Sequence, residues 1–496
     1  MNGNLYAQLA ARFSRTPEAP CLDLPGGARF SYADLERETA RYANLLVSLG
    51  LERGDRVAVQ VDKSPQVVFL YLGCLRAGFV YLPLNTAYRE GEVSYFLGDA
   101  EPRAAVCRSE ARAWFARVPQ LFELDASGRG SLADAAANQP PEFDTVASAP
   151  GDLASIIYTS GTTGRSKGAM VTHGNLVSNA LALHRYWRFR AGDVLLHALP
   201  LFHVHGLFVA LHTAMLNASR IVLLPRFEAR QILRYLPQAT VFMGVPTYYL
   251  RLLAEPGLTR ELCAGMRLFV SGSAPLLTDT FNGFRSRTGH TILERYGMTE
   301  TGMNTSNPYE GERRGGTVGF PLPGIEVRVV DDADLPLLAG KIGHIQVRGP
   351  NVLPGYWKLP EKNKEEFTPD GFFRSGDLGT FDADGYLSIV GRSKDLVISG
   401  GFNVYPKEIE MLLDEHPGVE ESAVIGLPHP DFGEVVTAVV VARAGAALTE
   451  ESLIAHVKGR LANFKVPKRV FIVRELPRNA MGKVQKNALR ATYGGK

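Results

Sequence analysis

The chain has 496 residues, which is too long for one compact core, so two or more domains are expected. Hydrophobic residues make up 45%, charged residues 21%, and the net charge is +3. This composition is typical of a globular protein and argues against a nucleic-acid-binding surface. The four cysteines form no CxxC pair, which argues against a zinc site and predicts reduced, buried thiols.

The first elements predict neither a secretory signal nor a membrane span. Residues 1–15 (MNGNLYAQLAARFSR) are amphipathic without a long apolar segment, which predicts a surface helix. The most apolar stretch, residues 67–84, is interrupted by Arg76 and Gly78 and predicts a helix followed by a strand. We therefore expect a cytoplasmic protein without stable membrane insertion.

Strand-like runs alternate with helical patterns through the first 300 residues, which predicts an α/β fold with largely parallel strands. The runs, in chain order, are RVAVQV, FVYLPL, LASIIYT, ATVFMGV, MRLFVSG and HTILERY. Glycine and proline are frequent in residues 311–376, which predicts a β-rich part. After Gly391 the pattern changes to a self-contained α+β unit of about 100 residues. We expect a large domain of mixed sheets with flanking helices at 1–392 (β-rich at 311–392), and a small mobile domain at 393–496.

The loop at residues 158–168, YTSGTTGRSKG, follows an apolar strand and precedes a helix, as a phosphate-binding loop does. Its glycines allow backbone N–H groups to approach an anion, its hydroxyls add donors, and Lys167 adds a positive charge. It is not a Walker A sequence. A flexible polar turn is the alternative, but the number of Gly, Ser and Thr residues around one lysine favours phosphate binding.

This loop resembles the signature loop of the acyl-adenylate-forming enzymes, which include acyl-CoA synthetases, luciferases and the adenylation domains of peptide synthetases. Six further segments resemble motifs of that family in its usual order: LPLFHVHG (199–206), VSGSAPL (270–276), YGMTE (296–300), RSGDLG (374–379), GRSKDLVISGGFNVYPKEIE (391–410) and PRNAMGKVQK (477–486). The resemblance implies a large N-terminal domain and a small C-terminal domain joined by a hinge, in agreement with the change of pattern near Gly391.

The resemblance implies a two-step reaction in which a carboxylate attacks the α-phosphate of ATP and CoA then displaces AMP. It also implies roles for individual residues. The expected ATP-binding residues are Thr159, Ser160, Gly161, Thr162, Thr163, Gly164, Lys167, Gly272, Ser273, Ala274, Tyr296, Gly297, Met298, Thr299, Asp377, Arg392 and Lys483. Glu300 is the expected Mg²⁺ ligand, because this hard cation prefers oxygen. Asp377 is expected to accept hydrogen bonds from the ribose hydroxyls, although in isolation it would be read as a turn residue.

Four residues are expected to act in catalysis: Lys483, Thr299, Glu300 and His203. In isolation Lys483 would be a surface charge and His203 a structural histidine; the family's motifs place the first at the phosphate and carboxylate oxygens and the second at the acyl pocket. Lys394 matches the hinge. Gly400 and Gly401 are expected to line the channel for CoA, where glycine lets a thin arm pass close to the backbone.

The acid is predicted from Glu294 and Arg295, which stand just before YGMTE. This pair, with ERYGMTETGMNTSNPY and SGGFNVYPKEIE, resembles the malonyl-CoA synthetase subgroup of the family. An arginine at the end of a strand beside the acyl pocket would bind a distal carboxylate through two hydrogen bonds and disfavour a neutral tail. Adjacent strand residues point to opposite faces, so Glu294 does not readily pair with Arg295. Pairing of Arg295 with another structural acid is the alternative.

We therefore predict an ATP- and CoA-dependent malonate ligase whose partners are small molecules, and we make no prediction of oligomeric state. The expected substrate residues are Arg295, His203, Ser273 and Met303. Val204 stands where the subgroup has threonine, which allows for methylmalonate. The alternatives are a CoA ligase for another short acid, such as methylmalonate, succinate or acetate, and a stand-alone adenylation domain that loads a carrier protein. A nucleotide-binding regulator is disfavoured because Glu300, Asp377 and Lys483 are all present.

Overall fold

The computed structural model describes residues 2–159, 166–399, 402–430, 432–458, 460–479 and 482–494. In chain order the strands are β1 (Pro20–Asp23), β2 (Arg29–Ser31), β3 (Arg56–Gln60), β4 (Val80–Pro83), β5 (Ala104–Cys107), β6 (Gln120–Glu123), β7 (Leu153–Thr159), β8 (Lys167–Thr172), β9 (Val194–His197), β10 (Arg220–Leu223), β11 (Val241–Gly244), β12 (Leu268–Ser271), β13 (Leu293–Met298), β14 (Gly302–Ser306), β15 (Phe320–Pro321), β16 (Glu326–Val330), β17 (Gly343–Arg348), β18 (Phe373–Phe381), β19 (Leu387–Arg392), β20 (Val397–Ser399), β21 (Phe402–Val404), β22 (Val419–His429), β23 (Gly433–Ala442) and β24 (Arg469–Val473).

The α-helices are α1 (Leu5–Phe13), α2 (Tyr32–Ser48), α3 (Pro65–Ala77), α4 (Glu90–Ala100), α5 (Ser131–Ala137), α6 (His173–Tyr186), α7 (Leu211–Leu216), α8 (Ala229–Tyr235), α9 (Pro246–Ala254), α10 (Thr278–Thr288), α11 (Pro360–Glu366), α12 (Pro406–Asp414), α13 (Glu450–Lys458) and α14 (Lys486–Tyr493). A π-helical segment, His205–Ala210, leads directly into α7. The apolar stretch 67–84 folds as α3 and β4, as predicted. In the described parts of the chain, no helix combines the length and the apolar character needed to cross a bilayer.

The chain forms two compact units. The first comprises Met1–Val327 and Val347–Phe373, and the second comprises Arg328–Gln346 and Arg374–Lys496. The sequence had assigned everything up to residue 392 to the large domain, whereas the compact units group much of the β-rich part with the C-terminal residues. The boundary of the predicted mobile domain and its hinge remain predictions.

The first unit contains two sheets. One has nine strands in the order β15-β14-β13-β12-β11-β9-β10-β1-β2, and the other has six in the order β6-β5-β3-β4-β7-β8. Strands β12, β11, β9 and β10 pair in parallel, whereas β14 and β15 run antiparallel at one edge. The nine-stranded sheet packs its apolar side chains, including those of Phe242, Phe269 and Ile292, against α8, α9 and α10. The predicted α/β class with mixed sheets is confirmed.

The second unit carries the sheet β16-β17-β18-β19 and a C-terminal sheet built on the long antiparallel pair β22 and β23. Alternating valines of β23 face α12 and α13 and form an apolar core with them. The predicted α+β character of the C-terminal part is confirmed by this arrangement of helices on a mostly antiparallel sheet.

Candidate active site

The carboxyl ends of β11 and β12 lie side by side in the first unit, next to the beginning of β13. The parallel register pairs Gly244 with Ser271 and Ser271 with Glu294, so Arg295 comes just beyond the end of β12. Open α/β sheets bind ligands at this edge, outside the carboxyl ends of their parallel strands. Beyond this point β13 continues as an antiparallel partner of β14, with Arg295 opposite Ser306.

Arg295 is buried, with 3% of its surface exposed. Its Nε and Nη2 atoms are buried without a hydrogen-bond partner, and among the described residues no carboxylate lies within ion-pair distance. Burial lowers the pKa of Arg295 to about 9. Glu294 is directed elsewhere, because its Oε1 accepts a hydrogen bond from the backbone N–H of Leu276 at 3.0 Å. Within the described chain, neither a Glu294 pair nor another structural acid accounts for the arginine.

Gly272 provides the space for this guanidinium. A Cβ atom at Gly272 would lie 2.5 Å from Cζ of Arg295, so a larger residue would displace the side chain. The next residue, Ser273, has a φ of +74°, in the left-handed region that residues other than glycine rarely adopt. The strained turn after β12 therefore brings backbone and guanidinium into close contact.

Two buried histidines lie beside Arg295, and their burial together with the Arg295 charge keeps them neutral. The backbone N–H of His205 donates to Nδ1 of His203 at 3.2 Å, and Oγ of Ser273 lies 3.3 Å from Nδ1 of His205. Burial and the Arg295 charge lower the pKa of His203 to about 4 and that of His205 well below its ordinary value. Both rings are therefore neutral at physiological pH, and Arg295 supplies the positive charge of this cluster. The sequence had assigned His203 but missed His205, two residues further along the same segment.

Glu300 lies in the turn between β13 and β14 and is 7% exposed. Its Oε1 accepts hydrogen bonds from the hydroxyls of Tyr356, at 3.0 Å, and Thr159, at 3.3 Å. Both bonds end on the same oxygen, so Oε2 remains for a cation as far as the described residues show. A buried carboxylate oxygen of this kind fits Mg²⁺, which prefers oxygen ligands.

Lys167 begins β8 and is held by two groups that the sequence did not suggest. Its ammonium lies 3.0 Å from Oε1 of Glu366 and 4.1 Å from the centre of the Tyr356 ring. Five of the predicted phosphate-loop residues, Ser160, Gly161, Thr162, Thr163 and Gly164, lie outside the described residues. The phosphate-binding roles of the loop and of Lys167 remain predictions.

The YGMTE segment continues β13 into a turn, and close packing against β14 fixes its course. Tyr296 is 9% exposed, and a Cβ at Gly297 would meet the carbonyl oxygen of Gly302 at 2.1 Å, so only glycine fits there. Met303 on β14 is buried, while Met298, Thr299 and Ala274 are half-buried. The structure thus places Tyr296, Gly297, Met298 and Thr299 in one continuous segment beyond Arg295.

In the second unit, Asp377 on β18 faces Arg392 on β19. The antiparallel register pairs these residues directly, and Arg392 Nε lies 2.9 Å from Asp377 Oδ1. Asp377 is 4% exposed. Lys394 follows in a 3₁₀ turn, Ser393–Asp395, and is exposed. The predicted channel residues Gly400 and Gly401 lie outside the described residues.

Lys483 is held in a tight turn of the same unit. Its backbone N–H donates to Oδ1 of Asn479 at 3.0 Å, and its carbonyl accepts from the Asn479 N–H at 2.9 Å. Lys483 is exposed overall, but protein atoms surround its ammonium. This desolvation and the Arg392 charge lower the pKa of Lys483 to about 8, whereas the Asp377 charge acts to raise it. The second unit therefore places Lys483 in the same electrostatic neighbourhood as Asp377 and Arg392.

Comparison with known proteins identifies the class. The AMP-binding enzyme family matches residues 9–357, and the AMP-binding enzyme C-terminal domain matches residues 408–483. The chain therefore belongs to the AMP-binding enzymes, which confirms the family predicted from the motifs.

Three similar proteins narrow the class further. A malonate–CoA ligase of Arabidopsis thaliana is 36% identical over 92% of this chain and 80% of its own. The mitochondrial malonate–CoA ligase ACSF3 of Mus musculus is 39% identical over 88% of this chain and 81% of its own. The crystal structure of ATP-bound MatB from Rhodopseudomonas palustris is 54% identical, covers 100% of this chain and 99% of its own, and superposes with a TM-score of 0.97.

Proposed function

We propose that the protein is a cytoplasmic, AMP-forming malonate–CoA ligase. It joins malonate to ATP as malonyl-AMP, with release of pyrophosphate, and then transfers the malonyl group to CoA. The assignment of malonate as the acid rests on Arg295, whose buried guanidinium has two nitrogen atoms without a hydrogen-bond partner among the described residues. The similarity to two malonate–CoA ligases and to MatB supports the same choice.

Malonate has two carboxylates separated by one carbon. One of them is the nucleophile that attacks the α-phosphorus of ATP, and it needs no catalytic base because it is already ionised. The other lies against Arg295, whose planar guanidinium can form two parallel hydrogen bonds to it. Uncharged polar contacts to this second carboxylate come from the neutral His203 and His205 and from the hydroxyl of Ser273. Met303 closes the acyl pocket from β14.

Charge develops on the phosphate oxygens during adenylation, so catalysis depends on positioning and on positive charge. Residues 159–164 and Lys167 bind the outer phosphates, and Thr299 contacts the α-phosphate. Glu300 holds Mg²⁺, which when bound offsets negative charge on those phosphates. Lys483 bridges the phosphate and carboxylate oxygens.

The nucleoside is held by residues that the family motifs predict. Tyr296 lies along the adenine, with Gly297 and Met298 beside it, and the Gly272, Ser273 and Ala274 segment contacts its other face. Asp377 accepts hydrogen bonds from both ribose hydroxyls, since a carboxylate can accept two at once. Arg392 holds that carboxylate in place through the contact at 2.9 Å.

The second half-reaction uses the thiol of CoA. Its sulfur attacks the malonyl carbonyl carbon, the bond to the phosphate oxygen breaks, and AMP leaves with that oxygen. Rotation at Lys394 replaces Lys483 by the segment containing Gly400 and Gly401, which lines the path of the CoA arm. This domain rotation and the hinge at Lys394 belong to the proposal.

Methylmalonate is the second candidate acid, and one residue favours it. Val204 lies between the two histidines and is 3% exposed, so an apolar side chain stands where the related subgroup has a hydroxyl. An apolar wall tolerates an added methyl group, whereas a hydrogen-bonding wall penalises it. Succinate, acetate and loading of a carrier protein remain alternatives that lack a supporting contact of this kind.

AMP formation by the purified protein distinguishes these functions. The assay supplies ATP, Mg²⁺ and CoA with malonate, methylmalonate, succinate, acetate or butyrate. We expect malonate to give the highest kcat/KM and butyrate the lowest, because a neutral tail would leave the Arg295 charge unpaired. A preference for acetate or butyrate over malonate would overturn the proposal. AMP formation that requires a carrier protein instead of CoA would favour carrier loading.

A further inference from the structure

Tyr356 connects the two groups that the proposed function assigns to the metal and the phosphates. Its hydroxyl donates to Oε1 of Glu300 at 3.0 Å, and the face of its ring lies 4.1 Å from the ammonium of Lys167. The residue is 3% exposed, so both contacts are screened from bulk water. Glu300 and Lys167 are far apart in sequence, and Tyr356 contacts each of them.

The backbone around Tyr356 is paired with β8, the strand that follows the phosphate loop. The N–H of Trp357 donates to the carbonyl of Gly168 at 2.7 Å, and the N–H of Met170 donates to the carbonyl of Gly355 at 3.1 Å. These bonds place Tyr356 opposite Ala169 as an added antiparallel bridge on β8. The tyrosine is thus carried on the same strand pairing that positions Lys167.

Asn363 fixes the tyrosine from the other side. Its Oδ1 accepts from the Tyr356 N–H at 2.7 Å, and its Nδ2 donates to the Tyr356 carbonyl at 3.2 Å. Gly355 makes this possible, because a Cβ there would lie 2.4 Å from Nδ2 of Asn363. Both backbone polar groups of Tyr356 are therefore bonded to one amide side chain, which fixes the backbone from which the phenol projects.

The turn that carries Glu300 is bonded to the same part of the chain. The N–H of Leu353 donates to the carbonyl of Glu300 at 2.9 Å, and Nδ2 of Asn351 donates to the carbonyl of Thr301 at 2.7 Å. Residues 351–356 therefore hold both the backbone of the turn and the carboxylate of Glu300. The hydroxyl of Tyr356 is the closer of the two donors to Oε1.

We propose that Tyr356 is a positioning residue that orients the Glu300 carboxylate toward Mg²⁺ and aligns Lys167 with the phosphates of ATP. The hydroxyl occupies Oε1 and leaves Oε2 for the cation. The ring supports the Lys167 ammonium electrostatically, beside the ion pair that this ammonium forms with Glu366. This inference rests on the proposed role of Glu300 in holding Mg²⁺, but not on the identity of the acid.

Tyr356→Phe tests the hydroxyl because it keeps the ring over Lys167. Loss of a partner that orients a metal ligand typically reduces metal affinity 10- to 100-fold. We expect the Kd for MgATP, measured by calorimetry without acid or CoA, to rise about 10-fold. The Kd for ATP in the presence of EDTA should stay unchanged. A change in both constants, or in neither, would overturn the proposal.

Tyr356→Leu tests the ring. Removing a cation–π contact is expected to weaken binding of metal-free ATP about 3-fold, in addition to the effect on MgATP. If Tyr356→Leu binds metal-free ATP as tightly as the wild type does, the proposed alignment of Lys167 by Tyr356 is wrong. Tyr32→Phe is the matched control, because Tyr32 is fully buried and donates its hydroxyl to the Ser219 carbonyl at 2.7 Å. It should leave both constants unchanged.

The wild-type protein separates this inference from the proposed function. A wild type that binds ATP equally with and without Mg²⁺ would refute the metal role of Glu300, and with it the role of Tyr356. A wild type that depends on Mg²⁺, together with an unchanged Tyr356→Phe variant, would refute only the role of Tyr356. A preference for an acid other than malonate would affect the proposed substrate and leave the Tyr356 result standing.

Discussion

Replacing Arg295 with alanine tests the charge that selects a dicarboxylate. The side chain is 3% exposed, and burial lowers its pKa to about 9. Burial therefore disfavours the charge, and the second carboxylate of malonate would offset this penalty. Removing one partner of a buried, hydrogen-bonded charge pair costs about 2–5 kcal/mol. We therefore expect kcat/KM for malonate to fall roughly 30- to 5,000-fold.

The same Arg295→Ala variant should gain relative activity on butyrate, because the charge that penalised a neutral tail is gone. Arg295→Lys should recover only part of the malonate activity, since it keeps a charge but loses the planar pair of donors. The measurement is kcat/KM for malonate and butyrate in the wild type and both variants, with KM for ATP as the control.

Thermal unfolding provides a second test of Arg295, with another buried arginine, Arg76, as the control. Arg295→Met removes a buried charge that has no carboxylate partner among the described residues, so Tm should stay the same or rise. Arg76 is equally buried but lies 2.8 Å from Glu36, so Arg76→Met should lower Tm and leave the ratio of malonate to butyrate activity unchanged. An equal decrease of kcat/KM for malonate and butyrate in Arg295→Ala would refute this role for Arg295. A decrease of Tm in Arg295→Met as large as that in Arg76→Met would also refute it.

Three further variants test the remaining roles. Lys483→Ala should slow malonyl-AMP formation about 10²- to 10³-fold yet still convert supplied malonyl-AMP to the thioester; equal loss of both steps would contradict the assignment. Since the pKa of Lys483 is lowered to about 8, wild-type adenylation should also decline as the pH rises above 8 and the ammonium is lost. Lys394→Pro fixes φ and should retain adenylation while thioester formation is lost; an unchanged overall rate with CoA would place the hinge elsewhere. Gly272→Ala should lower kcat/KM for malonate about 10²-fold, because its Cβ would displace Arg295, whereas Gly283→Ala, with its nearest contact at 3.7 Å, should have no effect.

Local patterns in the sequence were sufficient for part of the secondary structure, and the family resemblance added the candidate anion-binding residue, Arg295. Alternating apolar runs and glycine-rich turns are short-range signals, so α3, β4 and β13 could be read directly from composition and spacing. The placement of Glu294 and Arg295 on opposite faces also follows from strand geometry alone. The structure agrees, because the Glu294 carboxylate bonds to the Leu276 N–H rather than to Arg295.

Contacts between distant segments had no comparable signal. Glu300 and Tyr356 are 56 residues apart, and Lys167 and Glu366 are 199 residues apart. Each residue, taken singly, looks like an ordinary turn or surface residue.

Periodicity identified several of the strands and helices, because it depends on neighbours along the chain. The ordered motifs, through their resemblance to a known family, identified the candidate site residues. The tertiary structure alone decided that Gly272 contacts the Arg295 guanidinium and that Tyr356 contacts both Glu300 and Lys167. These contacts depend on which strands pair and in which register. Pairing is set by side-chain packing across the whole sheet and not by the local sequence.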